Sequence, residues 1–484
     1  MSEQVRKLEP TSLWNHFADL NEVPRPSKKE ERVIQFMVNF GKNLGLETHT
    51  DKVGNIIIKK PATKGMEDRQ TVILQSHVDM VHQKNNDTDF DFDKEGIKMY
   101  VDGDWVKAEG TTLGADNGLG VATIMALLSS NDIPHPALEA MFTVDEETGM
   151  TGAKELDPKF YDGTILLNLD TEDDDELSIG CAGGIDTNTR YDYEELYSLE
   201  DVQAYRVEIK GLKGGHSGMD IDKGRANANK LMTRLIYEAG MDVMLHSFDG
   251  GGLRNAIPRE AVAVVSVLNM EKENFEVFIK NVKEEFHTEF DPVEPNLTIE
   301  LKEVDTPDKM VSGYEREKMI RALYALHNGV FKLSLKFEGL VETSSSLARV
   351  LIKDGVFETK SLQRSSVEST KKDVANTIKS AFELMGAEVE QSGDYPGWEP
   401  NPDSAILKTM TKMYKDRFNS EPKVQACHAG LECGILGTHL PNVDMISFGP
   451  NIRHAHSPDE CAQISSVQKF WDFLLDVLKE TPKK

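Results

Sequence analysis

Two histidines and a small set of acids in this chain are spaced as metal-binding chemistry needs them. In Val72-Ile73-Leu74-Gln75-Ser76-His77-Val78-Asp79, an apolar, strand-like run ends in a histidine with an aspartate two positions on. Positions i and i+2 of extended backbone share a face, so His77 and Asp79 stand side by side at the strand's end. In that arrangement one imidazole nitrogen takes a metal while the other donates its proton to a carboxylate that holds the ring. The pattern recurs. In Gly114-Ala115-Asp116-Asn117-Gly118, glycines frame an acid and let the backbone turn sharply before an apolar run through Leu128. A strand at 138–144 ends in Asp145-Glu146-Glu147, and a strand at 165–169 ends in Asp170. A third, at 443–448, leads into a polar loop carrying His454 and His456.

Together, His77, Asp116, Glu146 or Glu147, Asp170, and His454 or His456 offer two imidazoles and three carboxylates without a thiolate. That donor set suits a pair of zinc or similar divalent ions. Ions roughly 3.5–4 Å apart in a two-metal hydrolase need a shared ligand, and glycine-framed Asp116 is the expected bridge. Adjacent extended residues diverge, so one of Glu146 and Glu147 can ligate while the other faces the substrate as general base. A glycine-rich loop before a helix could also cradle phosphate. Its spacing is not a Walker pattern, however, and no P-loop lysine accompanies it.

The elements that must position these groups are legible in outline. Residues 11–22 read as a helix, and Ser27 with Glu30 reads as a capping box opening a second helix over Val33, Phe36, Met37 and Phe40. A strand at 56–58 follows the Gly54-Asn55 turn, and 82–110 reads as a long loop or small hairpins. Strands alternating with helices predict an α/β domain: a mostly parallel central sheet with helices on both faces. Ligands in such sheets sit beyond the strands' carboxyl ends. After Gly183-Gly184 the character changes to two strand–helix–strand sets in succession, predicting an inserted α+β domain over 187–393. A helix at 403–418, the strand at 443–448 and a final helix carrying Phe470, Trp471 and Leu474 return to the first type. The expected domains are therefore 1–186 with 394–484, and 187–393.

With 484 residues the chain is long for one core, in keeping with two domains. Its 55 basic and 82 acidic residues give a net charge of −27, which disfavours nucleic acid and anionic membrane as partners. No stretch reaches the length of a membrane span, and the first residues lack the apolar core of a signal peptide. Cys181, Cys427, Cys433 and Cys461 form no C-x-x-C pair and read as buried, inert thiols in a reducing cytoplasm.

His77-Val78-Asp79, Gly114-Ala115-Asp116-Asn117-Gly118, Asp145-Glu146-Glu147-Thr148-Gly149 and the late His456 resemble the motifs of the co-catalytic zinc peptidases related to aminoacylase and carboxypeptidase G. More narrowly, 213–218, 253–260 and His428-Ala429-Gly430-Leu431-Glu432-Cys433-Gly434 resemble stretches of the bacterial aminoacyl-histidine (Xaa-His) dipeptidase subfamily, and the likeness runs nearly end to end. The resemblance implies that His77 and Asp170 hold one ion, Glu147 and His456 the other, and that Asp116 bridges. It implies that Asp79 orients His77 and that Glu146 is the general base activating a metal-bridging hydroxide. The inserted domain would be a lid, with His216, Asn255 and Arg364 matching positions used on the substrate, although Gln363 interrupts the usual apolar pattern beside Arg364. Glycine-framed His216 is expected to donate to the developing oxyanion, and Arg364 to grip a dipeptide's free carboxylate. His428, in the loop from Cys427 to Gly430, is a further candidate pocket residue.

The implied activity is hydrolysis of unblocked dipeptides with two zinc ions, cobalt or manganese being alternatives, in a monomer or homodimer. The preference for C-terminal histidine rests on the resemblance alone. An N-acyl amino acid deacylase or aminopeptidase of the same superfamily would share the metals. A non-catalytic metal-binding scaffold would have no use for Glu146, and a TIM-barrel amidohydrolase usually opens with His-x-His.

Overall fold

The computed structural model describes residues 2–484, which form two compact units. Of the described residues, the first comprises 2–180, 400–426 and 431–484, the second 181–399 with 427–430. The expected boundaries at 187 and 393 fall inside the second unit. The strands Gly183–Asp192 and Glu388–Tyr395, which run through them, pair with each other there.

In the first unit, an eight-stranded sheet has at its centre β1 (Val72–His77), β2 (Leu138–Thr143), β3 (Ile165–Asn168) and β4 (Asp444–Ser447), in the order β2-β1-β3-β4. These four are mutually parallel. Every residue of β1, β2 and β3 is buried, which is why they read as apolar runs without alternation. The parallel part ends there. Ile56–Lys60 joins β2 antiparallel, and Glu176–Cys181 joins β4 antiparallel. The helix α1 (Ala115–Ser129) packs against β1 and is buried from Leu119 to Leu128.

Two local expectations are corrected. The second helix runs Glu31–Asn43 and is not capped by Ser27. Ser27 is buried and its hydroxyl donates instead to Asp79 Oδ2 at 2.8 Å, while Glu30 accepts the backbone N–H of Lys28 at 2.9 Å. A buried carboxylate is the stronger acceptor for a nearby hydroxyl. Glu146 and Glu147 are not extended but begin the short helical turn Glu146–Gly149. Asp79 accepts their backbone N–H groups at 3.1 and 3.3 Å, coiling the chain as it leaves β2.

The second unit holds one nine-stranded sheet rather than two separate sets. Helices Ala228–Glu238, Lys272–Phe290, Gly313–Ala325 and Glu368–Met385 contribute to its apolar core with Phe248, Val265 and Phe357 of the strands. The two expected sets meet in it twice, through Val202–Lys210 pairing with Thr298–Val304 and through Met244–Gly251 pairing with Val341–Lys353, two strands that the sequence pattern does not announce. Val341–Lys353 is masked by Thr343-Ser344-Ser345-Ser346, a polar run that is nevertheless buried. No described helix is long and apolar enough to cross a membrane.

Candidate metal centre

The carboxyl ends of β1, β2 and β3 deliver His77, the Glu146–Glu147 turn and Asp170 to one place, where α1 adds Asp116 and the loop after β4 adds His456. Gly114, at φ 67°, is the left-handed residue that admits the Asp116 turn. Asp116 faces both imidazoles. Its Oδ1 lies 3.2 Å from His77 Nε2 and its Oδ2 3.1 Å from His456 Nε2. Asp170 Oδ1 is 3.6 Å from His77 Nε2, and Glu147 Oε2 is 2.9 Å from His456 Nε2.

Two sets of potential ligand atoms result, His77–Asp116–Asp170 and Asp116–Glu147–His456, each with its atoms within 4.8 Å of one another. Asp116 belongs to both. Glu146 approaches His77 together with Glu147 but is not in the set with His456. His454 belongs to neither set.

The donor chemistry fits a divalent pair. Glu147 Oε1 is buried without a protein partner. Burial alone would lower His77, yet Asp170, Asp116 and Asp79 raise its pKa well above the usual histidine value. Hydrogen bonds to Asp116 and Glu147 lift His456 to about 11. Burial, reinforced by Glu432, Glu147 and Asp116 against the opposing charge of His77, pushes Glu146 well above the ordinary glutamate range. Asp170 is raised likewise, by burial first. This acid-rich cleft draws positive charge, and cation binding would compete with the protons it holds.

The surrounding groups aim these side chains. His77 Nδ1 lies 3.2 Å from the Asp79 carbonyl and 3.4 Å from its Oδ1, leaving Nε2 for the ligand set. Arg25, almost fully buried, donates to the carbonyls of Val78, Asp79 and Gly114 at 3.1, 3.1 and 2.6 Å. Glu460 accepts the backbone N–H groups of Leu113, Gly114, Ala115 and Asp116 at 2.7, 3.0, 2.7 and 3.2 Å. The amides that could have cradled phosphate hold the protein's own carboxylate. Replacing Glu460 by Gln turns one acceptor oxygen into a donor facing those amides. We expect metal affinity to fall roughly 10–100-fold, the usual cost of losing such a partner, read by zinc titration. Unchanged affinity would show that the loop holds Asp116 without Glu460.

A buried hydrogen-bond chain crosses the strands that carry the candidate ligands. Ser447 donates to Asn168, Asn168 to Gln75, and Gln75 to Glu432 Oε2 at 2.7 Å, which also accepts Thr143 Oγ1 at 2.7 Å. Burial raises Glu432 to about 7. Arg25, Glu432 and Glu460 were not singled out from sequence. A polar residue two positions before a strand-end ligand (Gln75, Asn168) was the one local signal of the chain.

In the second unit, His216, Arg364 and His428 are close together. His216 Nδ1 accepts the N–H groups of Gly218 and Met219 at 3.2 and 3.0 Å, so in the neutral ring Nε2 carries the hydrogen. Burial first, and then Arg364, lowers its pKa. His428 Nε2 is 2.8 Å from Ser344 Oγ, and burial lowers its pKa to about 3. Arg364 is 4% exposed, and its Nε is buried without a partner. Asn255 is exposed and braces the His216 loop through its carbonyl, which accepts Ser217 N–H at 2.8 Å.

A parallel-centred sheet with paired imidazole–carboxylate sets sharing one aspartate is the architecture of a metal-dependent hydrolase. Residues 73–480 match peptidase family M20/M25/M40, and the chain belongs to that family. It is 41% identical over 486 aligned residues to the cytosol non-specific dipeptidase of Escherichia coli (strain K12), covering all of both chains. The crystal structure of aminoacylhistidine dipeptidase from Vibrio alginolyticus superposes with TM-score 0.95 at 42% identity, again over both whole chains. Aminopeptidase PepT from Bacillus cereus shares the fold, with TM-score 0.57 at 16% identity over 98% of this chain and 99% of that one.

Proposed function

We propose that the protein is a cytoplasmic dipeptidase using two divalent ions, zinc first among them, and that it accepts dipeptides ending in histidine. The observation that carries the reading is Asp116, one carboxylate with an oxygen toward each imidazole. It is supported by the full-length likeness to two dipeptidases, one named for breadth and one for aminoacyl-histidine.

His77, Asp170 and Asp116 would hold one ion, with Glu147, His456 and Asp116 holding the other. When bound, the pair would supply Lewis acidity toward the peptide carbonyl and water. The chain's own groups do the rest. Glu146 takes a proton from the attacking water and passes it to the leaving amine. Asp79 keeps the His77 ring oriented. We assign the second unit to peptide recognition: His216 donates from Nε2 to the developing oxyanion, and Arg364 receives the terminal carboxylate.

The test is a paired assay on zinc-reconstituted protein. Unblocked dipeptides, Xaa-His among them, should be cleaved, while N-acetylated amino acids should not. Faster release of acetate than of amino acids from dipeptides would make the protein a deacylase and overturn this reading.

A further inference from the structure

Arg364 is a buried cation without an anion. No carboxylate among the described residues pairs with it, and its Nε has no partner. Leaving a buried charge uncompensated is costly, so the site is built for an anion from outside. What orients the guanidinium toward such an anion lies in the sheet register.

Ser344, Arg364, Gly184 and Tyr395 are successive cross-strand partners on four neighbouring antiparallel strands. They stand in one row on one face. Gly184 lies between the two long side chains of that row. A Cβ there would meet the ring and hydroxyl of Tyr395 at 2.7 Å, so the ring occupies the space that a side chain would fill. Across this gap the Tyr395 hydroxyl accepts a hydrogen bond from Arg364 Nη1 at 3.0 Å.

The backbone of Tyr395 is pinned as firmly as its ring. Fully buried Lys371 donates to the Tyr395 carbonyl at 2.6 Å and is held by Glu368 at 2.9 Å and Asp394 at 2.7 Å. On the other side, a Cβ on Gly183 would come within 2.4 Å of that same carbonyl. A phenol whose oxygen accepts from arginine still has its own hydrogen to give. An anion resting on Arg364 is within the reach of that hydrogen.

We propose that Tyr395 is a specificity-determining residue. Its hydroxyl and the Arg364 guanidinium together form the subsite for the substrate's terminal carboxylate, the tyrosine donating one hydrogen bond to it and fixing the guanidinium with the other. This rests on the reading of Arg364 as the carboxylate-binding group. Selection for short peptides with a free terminus would then depend on two donors, one charged and one neutral.

The experiment compares Tyr395→Phe and Arg364→Met with the wild-type holoenzyme, on a dipeptide and on the same dipeptide amide. Phenylalanine keeps the ring over Gly184 and removes only the hydroxyl. Tyr395→Phe should raise KM for the dipeptide roughly tenfold or more, the worth of a hydrogen bond to a charged group. Its kcat on the dipeptide and its kcat/KM on the amide should stay close to wild type. Arg364→Met should erase the preference for acid over amide. If Arg364→Met loses that preference and Tyr395→Phe keeps it, the tyrosine proposal fails alone. If Arg364→Met keeps it, the carboxylate reading falls and the subsite with it. Equal loss on acid and amide in Tyr395→Phe would mark a merely structural tyrosine and also overturn the proposal.

Discussion

Asp116→Ala is expected to release most of the bound metal and nearly all activity together. The carboxylate sends one oxygen toward His77 and the other toward His456, so its removal opens both ligand sets at once. A metal pair contributes several kcal/mol to such a reaction, and each 1.36 kcal/mol is tenfold, so the loss should be of the order of 10³–10⁴-fold or greater. Metal analysis on the purified variant decides the matter independently of activity. Two full equivalents retained in an inactive Asp116→Ala protein would show that the aspartate is not the shared ligand. The fold itself should survive, because the loop remains gripped by Glu460 on its amides and by Arg25 on the Gly114 carbonyl.

Glu146→Gln and Glu147→Gln are expected to fail in opposite ways. Glu146 stands outside the set formed by Asp116, Glu147 and His456, which leaves it for proton transfer. Glutamine preserves its shape and abolishes that exchange. Rate should fall roughly 10²–10⁴-fold with metal content unchanged. Glu147 lies 2.9 Å from His456 and has a buried, unpartnered second oxygen, so Glu147→Gln should instead weaken one metal site. Metal content and single-turnover rate measured on both variants separate the outcomes. The reverse pattern would exchange the two roles.

Strand ends and glycine frames carried most of what could be read of the site. β1, β2 and β3 are buried along their whole length and mostly apolar, so each strand and its terminal acid or histidine is visible as a run and a stop. Val341–Lys353 was invisible by the same criterion, because a polar run interrupts its apolar pattern. Thr343, Ser344 and Ser345 find partners inside the second unit, as in Gln363 donating to Ser345 at 3.3 Å, and no apolar pattern marks their strand. Ser27 illustrates a different miss. Its local pattern is that of a capping box, but a buried acid more than fifty residues away took the hydroxyl.

By itself, then, the sequence determined which residue types stand at which strand ends, and hence that a two-ion, carboxylate-rich site was in prospect. Those features depend on backbone periodicity and on glycine conformation, which act within a few residues. How the acids divide was left open by the residues themselves and followed only from the family resemblance; the tertiary structure supplies the contacts that group them. Asp116 meets His456 across 340 residues of chain, and Gln75 meets Glu432 across 357. The same holds for the tyrosine that lies over Gly184 to reach Arg364. A buried charge is aimed by whichever donors folding brings against it, and that choice is made by packing between distant segments rather than by any local pattern.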